Sequence, residues 1–315
     1  MDSAIIEAAD HAARHWRFPG VWRPGDGQQR EAFCRLLLET FNPYKPAVIE
    51  WPMLDAETRQ RVISLPIWDI AVQTEGRARL RILSYARTVA DPLLRQALEH
   101  MGFEEGRHKE VLSHLVAAYG IQLEPEPEYL EPRNSEWGFL VTGYSECIDS
   151  FFAFGLFALA KRSGFFPPEL VDTFEPVIQE EGRHILFFIN WVDWHRRTMP
   201  LWRRPWFALK TLGVWGFLVW ERIGLARDVG GAQKQDANFT VSGASSVGDD
   251  IDTAALMDLC LAEDERRLGG YDPRLKRPRT VPRLVRFARL FMKAKTSPAT
   301  RGQAAKRTDA AQKAG

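Results

Sequence analysis

The chain has 315 residues, 45% of them hydrophobic, and its 42 basic residues are balanced by 41 acidic ones for a net charge of +1. At that length roughly three quarters of the unfolded surface can be buried, so folding needs neither disulfides nor a structural metal, and the charge balance removes any global electrostatic case for nucleic-acid binding. Cys34, Cys147 and Cys260 are too widely spaced to form a framework, which fits a reduced, cytoplasmic setting; the amino terminus carries no basic-then-apolar signal pattern, and no run reaches the ~18 apolar residues of a membrane-spanning helix.

In chain order, residues 1–54 read as a helical entry segment: a short helix before Arg17, a Pro/Gly-rich connection through Gly27, and a helix from about Gln28 to Thr40. His11 and His15 share a helical face, but two donors alone do not make a metal site, and a partly exposed surface is expected. Residues 55–200 carry four long helical patterns. Asp55 caps a short helix ending at Leu65, and Pro66 opens the next, which runs to about Val89 with Trp68, Ala71, Val72, Glu75, Ala78 and Ile82 on one face. Asp91-Pro92 starts the following helix and Gly120 stops it, with Leu98, Met101, Glu105, His108 and Leu112 in register. The proline- and glutamate-rich run from Gln122 to Pro132 is a crossover. A third helix extends from a cap at Asn134 or Ser135 to Gly164 and is apolar on nearly every side, as expected of a central or partner-covered helix. Pro167 and Pro168 open a fourth that continues to about Arg197. Residues 201–295 add a tryptophan-rich helix over 201–225, a glycine- and serine-rich loop over 229–249, a helix from about Ile251 to Leu268 and a basic amphipathic stretch from Arg274; 296–315 read as a disordered basic tail.

One pentapeptide occurs twice, as Glu104-Glu105-Gly106-Arg107-His108 and Glu180-Glu181-Gly182-Arg183-His184. Glu and His at i and i+3 project from the same helical face. Each copy follows a lone glutamate on an apolar face, Glu75 before the first and Glu146 before the second. A carboxylate on an inward face is costly unless neutralised, paired or bound to a cation. Two lone glutamates plus two Glu-x-x-His pairs are a ligand set that four-helix bundles use for two iron or manganese ions. The spacing from each glutamate to its motif allows ~15 residues up one helix and ~15 back at ~1.5 Å per residue, returning the chain to the same depth. Glu75 and Glu146 are therefore expected to bind one metal each, Glu105 and Glu181 to lie between the metals, and His108 and His184 to complete the two ends. The competing expectation is a set of buried ion pairs with Arg77, Arg79, Arg107 and Arg183. Glu104 and Arg107 turn away from the stripe and can support the ligands from behind, and Asp149 is a candidate partner for a ligand histidine. Gly76, Gly106 and Gly182, each after a ligand candidate, are expected to allow close helix packing. Phe151, Phe152, Phe154, Phe157, Phe187 and Phe188 are candidates for a pocket wall.

These residues resemble those of the ferritin-like di-iron carboxylate superfamily, and EEGRH is similar to the [Asp/Glu]-Glu-x-[Arg/Lys]-His motifs of soluble acyl-carrier-protein desaturases and bacterial multicomponent monooxygenases. The resemblance covers roughly residues 55–200. It implies an all-α, ferritin-like four-helix bundle with extra N- and C-terminal helices, and an enzyme whose catalytic and metal ligands are Glu75, Glu105, His108, Glu146, Glu181 and His184. It further implies two Fe ions, or a Mn/Fe pair, and O2 as co-substrate for oxidising a hydrophobic small molecule, with an iron-handling ferroxidase or peroxide scavenger as the alternative. The arylamine N-oxygenases have an additional histidine where this chain has Val177, and Arg77 and Val141 stand where the cross-link of the ligand-binding oxidases needs its partners, so neither subtype is expected. The expected partners are the hydrophobic substrate, an external electron donor, a second copy in a homodimer and, through 201–225 or the basic C-terminus, a membrane surface, but no nucleic acid.

Overall fold

The computed structural model describes residues 3–42, 44–65, 67–228 and 253–292. Pro66, the 229–249 loop and the 296–315 tail, for which expectations are set out above, lie outside these residues. The described residues form eleven α-helices and no strand: α1 Ser3–His15, α2 Gly27–Glu39, α3 Ala56–Ser64, α4 Trp68–Ala86, α5 Pro92–Tyr119, α6 Ser135–Ser163, α7 Pro168–Thr173, α8 Glu175–Thr198, α9 Arg204–Asp228, α10 Thr253–Gly269 and α11 Thr280–Arg289. The chain is therefore all-α among its described residues.

Local chemistry sets the helix ends. The Asp91 carboxylate accepts from the Leu94 amide at 2.9 Å with Pro92 in the first turn, and α5 closes on Gly120 at φ 69°, a left-handed conformation that favours glycine. Asn134 caps α6 through the Trp137 amide at 2.9 Å, and Gly164 at φ 66° ends it. The expected fourth helix is broken: α7 stops at Thr173 and α8 starts at Glu175, with Pro176 in its first turn. Proline has no N–H to continue the α7 ladder and its ring clashes with the preceding turn, so the break follows from a residue the opening Pro167-Pro168 pair had overshadowed. The first long helix also ends sooner than expected, at Ala86. The basic stretch from Arg274 is helical only over Thr280–Arg289, because Arg274 instead bonds Asp272 and the carbonyls of Phe18 and Gly20.

Helix α4 packs on α5 and α6, α6 packs on α8, and α2 lies across α5 and α8. Leu83 near the end of α4 meets Gly102 near the start of α5, and Arg81 meets Gly138 near the start of α6, so α4 runs antiparallel to both. The aromatic heart of the main core is Tyr85, stacked on Phe139 with ring centroids 4.8 Å apart, and Trp191, edge-on to both. The connection between α5 and α6 is free of helix over residues 121–134 and is pinned by the Glu124 amide on Asp69 at 2.8 Å and by the Lys109–Glu126 pair at 2.6 Å. Tyr129 from this connection lies over Gly76, where a Cβ would come within 2.7 Å of its ring. The close approach expected at Gly76 is thus to the crossover, whereas a Cβ at Gly182 would make only ordinary contact with Leu268 at 3.6 Å. Helix α9 lies on α6 through Phe207, Val214 and Leu218 and leaves Trp202, Trp206, Leu209 and Trp220 around it exposed. Among the described residues no helix is long and apolar enough to cross a membrane.

Candidate metal centre

Each of the four helices α4, α5, α6 and α8 brings at least one acid to a common point. One donor atom from each of Glu75, Glu105, His108 and Glu181 lies within 4.8 Å of the others, and Glu105, Glu146 and His184 form a second such group. Glu105 belongs to both groups, and the two imidazole centroids are 5.6 Å apart. All six side chains singled out in the sequence therefore meet. Glu181 falls in the group of His108 and not in that of His184, so the sharing expected of both motif glutamates falls on Glu105.

The motifs are interlocked. His108 turns Nε2 to Glu180 of the second motif at 2.9 Å, and His184 turns Nε2 to Glu104 of the first at 2.8 Å. The same two glutamates neutralise the arginine of the opposite motif, Arg107 on Glu180 and Arg183 on Glu104, the latter at 2.9 Å. Each imidazole then presents Nδ1 inward, His108 at 3.2 Å from Glu181 and 3.6 Å from Glu75, His184 at 3.0 Å from Glu105. A carboxylate on Nε2 fixes the ring orientation and the tautomer that leaves Nδ1 as a donor to a cation. Of the buried ion pairs weighed against a metal site, those of Arg107 and Arg183 exist and those of Arg77 and Arg79 do not among the described residues; they engage the outer glutamates Glu104 and Glu180, and among the described residues the four inner acids have no arginine or lysine pair.

The donor set fits a dinuclear metal site on one observation above all. The inward atoms His108 Nδ1, His184 Nδ1, Glu105 Oε1 and both carboxylate oxygens of Glu146 are buried and, close as the imidazoles come to their carboxylates, none of them makes a well-aligned hydrogen bond among the described residues. Such groups are expensive unless something binds them. Electrostatics says the same. Burial, despite the nearby His108, raises the Glu75 carboxyl to about 8, and burial together with the carboxylates of Glu105 and Glu181 raises Glu146 well above its ordinary range. Burial opposes charge on Glu105 too, but His184 and His108 outweigh it and hold that carboxyl low. Burial likewise disfavours both imidazolium ions, yet Glu180, Glu181 and Glu75 raise His108, and Glu104 and Glu105 raise His184, well above the ordinary histidine value. Protons thus take the place of cations, and loading a metal must release them.

A strap between α2 and the 3-10 turn at Pro46–Val48 supports the outer shell. The Thr40 carbonyl accepts from Arg183 at 2.7 Å, the Asn42 carbonyl accepts from Arg107 at 2.8 Å, and the Tyr44 hydroxyl donates to Glu180 at 3.2 Å. His100 adds a contact to Glu104 at 3.4 Å. The strap is not legible in the sequence, since three of its four contacts to the motifs, counting the Tyr44 carbonyl that accepts from Arg107 at 3.3 Å, are backbone carbonyls that any residue supplies; Tyr44 and His100 carry no periodic signal.

Two expectations fail. Asp149 does not reach a histidine: it pairs with Arg222 of α9 at 2.9 Å and accepts from Ser145, one turn back on α6. The expected aromatic wall is mostly core, with Phe154, Phe187 and Phe188 in the main cluster and Phe151 under α10 and α11. Of the six only Phe157 lines the cavity of about 400 Å3 that adjoins Glu75, Glu105, Glu146 and Glu181; Phe166 and Phe174 line it as well. His11 and His15 stack on each other, 3.9 Å between centroids, away from any metal-binding group among the described residues. No family model, curated protein or solved structure matches this chain.

Proposed function

We propose that the chain is a ferritin-like, O2-dependent di-iron oxidoreductase that oxidises a hydrophobic small molecule by hydroxylation, desaturation or cleavage. The observation that carries the reading is the pair of inward Nδ1 atoms facing four carboxylates that have no arginine or lysine pair among the described residues, each imidazole held from behind by a buried glutamate. Glu75, Glu105, His108, Glu146, Glu181 and His184 are the residues that would hold the ions, with Glu105 between them. Two Fe ions, or a Mn/Fe pair, would supply O2-reducing redox chemistry there, re-reduced by an external electron donor, and the four carboxylates would balance two divalent charges. Glu104 and Glu180 keep both rings in register, and the apolar cavity keeps water from the oxidised carbon. That cavity favours an oxygenase over the ferroxidase alternative, which needs no organic-substrate site.

Anaerobic Fe(II) titration should give two ions per chain, and exposure to O2 a charge-transfer absorption; Glu105→Ala and His184→Ala should lose both. Oxygen uptake that depends on an added apolar substrate and an external electron donor supports the oxygenase, whereas many ions accumulated per oligomer support iron handling. The exposed tryptophans about α9, flanked by Arg203 and Arg204, are the surface through which we place peripheral membrane contact. Sedimentation with anionic vesicles tests it. A cytoplasmic setting suits three buried free thiols, Cys34, Cys147 and Cys260.

A further inference from the structure

The cavity beside the inner acids is chemically polarised. Toward the start of α4 its lining is apolar, with Leu65, Ile67, Leu115, Phe157 and Leu170, while toward the end of α4 it holds Arg77 and Arg81; Ser145, Asp149 and Arg222 line it beside Glu146. Because α4 is antiparallel to both α5 and α6, the apolar set and the pair of Arg77 and Arg81 lie on opposite sides of the ligand acids. At ~1.5 Å of rise per residue, Arg81 sits about 9 Å beyond Glu75 along α4, and Ile67 about 12 Å the other way.

The three arginines that line the cavity are not equivalent. Arg222 is satisfied by Asp149 at 2.9 Å and Ser145 at 3.1 Å. Arg77 and Arg81 make no ion pair and no hydrogen bond among the described residues, although both line the cavity and both are half-buried. Burial first, and then the charge of Arg77, press the Arg81 guanidinium below its ordinary range, with Glu221 acting the other way from beyond ion-pair distance. A guanidinium stays charged in proteins. Two like charges one helical turn apart, on the wall of a largely apolar cavity, are stabilised most directly by an anion, and guanidinium forks match carboxylate and phosphate oxygens.

We propose that Arg77 and Arg81 are the head-group receptor for the substrate: an apolar chain ending in one anionic group, a carboxylate or a phosphate monoester, whose tail passes Glu75 and Glu146 into the apolar arm. What happens to the chain rests on the oxygenase reading; how it is held does not. With the head at Arg81, the carbons next to the ligand acids lie about 9 Å from it, so oxidation falls within the chain and not beside the head.

The test is calorimetric titration of the full chain, metal-free and anaerobically Fe(II)-loaded, with palmitate, hexadecyl phosphate and hexadecanol below their aggregation limits. At least one of the two anions should bind about tenfold or more tighter than the alcohol, the equivalent of ~1.4 kcal/mol, and the tighter anion names the head group. Arg77→Met/Arg81→Met should reduce that preference to less than about twofold while leaving hexadecanol affinity in place, and Arg79→Met, on the exposed side of the same helix, should keep it. If the double variant melts early, Arg81→Gln alone must still lower the preference at least about threefold. Equal binding of alcohol and both anions, no binding of any probe, or a preference that survives the substitutions overturns the proposal. Failure of the di-iron reading is distinguishable: metal stoichiometry falls to zero while the anion preference persists in metal-free protein.

Discussion

Glu146→Met separates the inner glutamates from the outer ones. In the wild type both Glu146 oxygens are buried without a hydrogen-bond partner, and its carboxyl is raised by burial and by Glu105 and Glu181. A buried polar group left unsatisfied costs about 1–3 kcal/mol, and methionine fills a similar volume with an unbranched, adaptable chain. In chelator, therefore, the variant should be more stable than wild type by about 1–3 kcal/mol, or roughly 2–6 °C in Tm for a chain of this size. With Fe(II) present under argon the order should reverse, because a metal at one hundred times its Kd stabilises the wild type by about 2.7 kcal/mol, whereas the variant has lost a ligand. The outer position behaves oppositely. Glu104→Ala leaves His184 Nε2 without its carboxylate and Arg183 with only the Glu180 oxygen at 3.5 Å in a sealed site, and breaking one side of a buried ion pair costs about 3–5 kcal/mol whether or not metal is present. Glu104→Met/Arg183→Met should recover most of that stability without recovering metal affinity, since His184 still lacks its partner. Calorimetric melting in chelator and in metal reads all of this. If Glu146→Met melts below wild type in chelator by as much as Glu104→Ala does, Glu146 is a structural anchor and the division between inner and outer acids is wrong.

The remaining predictions concern the frame around the site. Glu136 is held down to about 2 by the His195 bond first and by Lys210. A depressed folded-state pKa contributes stability above the unfolded value that is lost as pH falls through the folded one, so the urea-measured deficit of Glu136→Gln, about 2 kcal/mol at pH 7 for this half-buried group, should shrink below pH ~4.5. Asp264 has the opposite sign: burial and Glu265 raise it to about 7, so the folded state loses stability as pH rises from the ordinary carboxylate range through 7, and Asp264→Asn should stabilise above pH ~7 and have no effect below ~4, again by urea titration. Gly143 has Phe188 so close that a Cβ would sit 2.2 Å from its ring; Gly143→Ala should lower stability by about 1–3 kcal/mol despite better helix propensity. Gly216, exposed in α9 with nothing within 4 Å of its Cβ position, should gain up to about 1 kcal/mol on the same change, and a loss there would count against the description of α9.

The parts of this fold that were legible are those governed by local rules. Asp91-Pro92 and Gly120, or Asn134 and Gly164, fix helix ends through side-chain caps and left-handed turns that a handful of residues determine. The convergence of Glu75, Glu105, His108, Glu146, Glu181 and His184 was legible because each lies on an apolar helical face and the two pentapeptides repeat. Residues whose roles depend on tertiary choice were not. Asp149 shares a helix with Glu146 and looked available to a histidine, but Arg222, far along the chain, claims it. The phenylalanines of α6 point to several sides of a helix covered by α4, α8, α9 and α10, so composition alone could not say which one meets the cavity. Thr40 and Asn42 act through their carbonyl oxygens, which side-chain patterns do not encode.

The exchange of outer glutamates between the two motifs also explains why the pentapeptide is repeated whole and not merely as Glu-x-x-His. The first Glu of each motif does not meet its own histidine: the second Glu and that histidine's Nδ1 face inward, and the ring's Nε2 turns to the first Glu of the other motif. That edge is met from another helix. Facing α5 and α8 satisfy each other: Glu104 takes Arg183 and His184, and Glu180 takes Arg107 and His108. A glutamate, an arginine and a histidine in one copy therefore have their partners in the other, and neither copy is satisfied alone. Symmetry stops at the next layer, where Tyr44 donates to Glu180 while His100 meets Glu104, and at the cavity, which approaches the acids from the α4 and α6 side and carries its unpaired arginines on α4. On the proposed reading the repeated motif would supply what two cations require, and these departures from symmetry are where a substrate with two unlike ends would be told apart from its reverse.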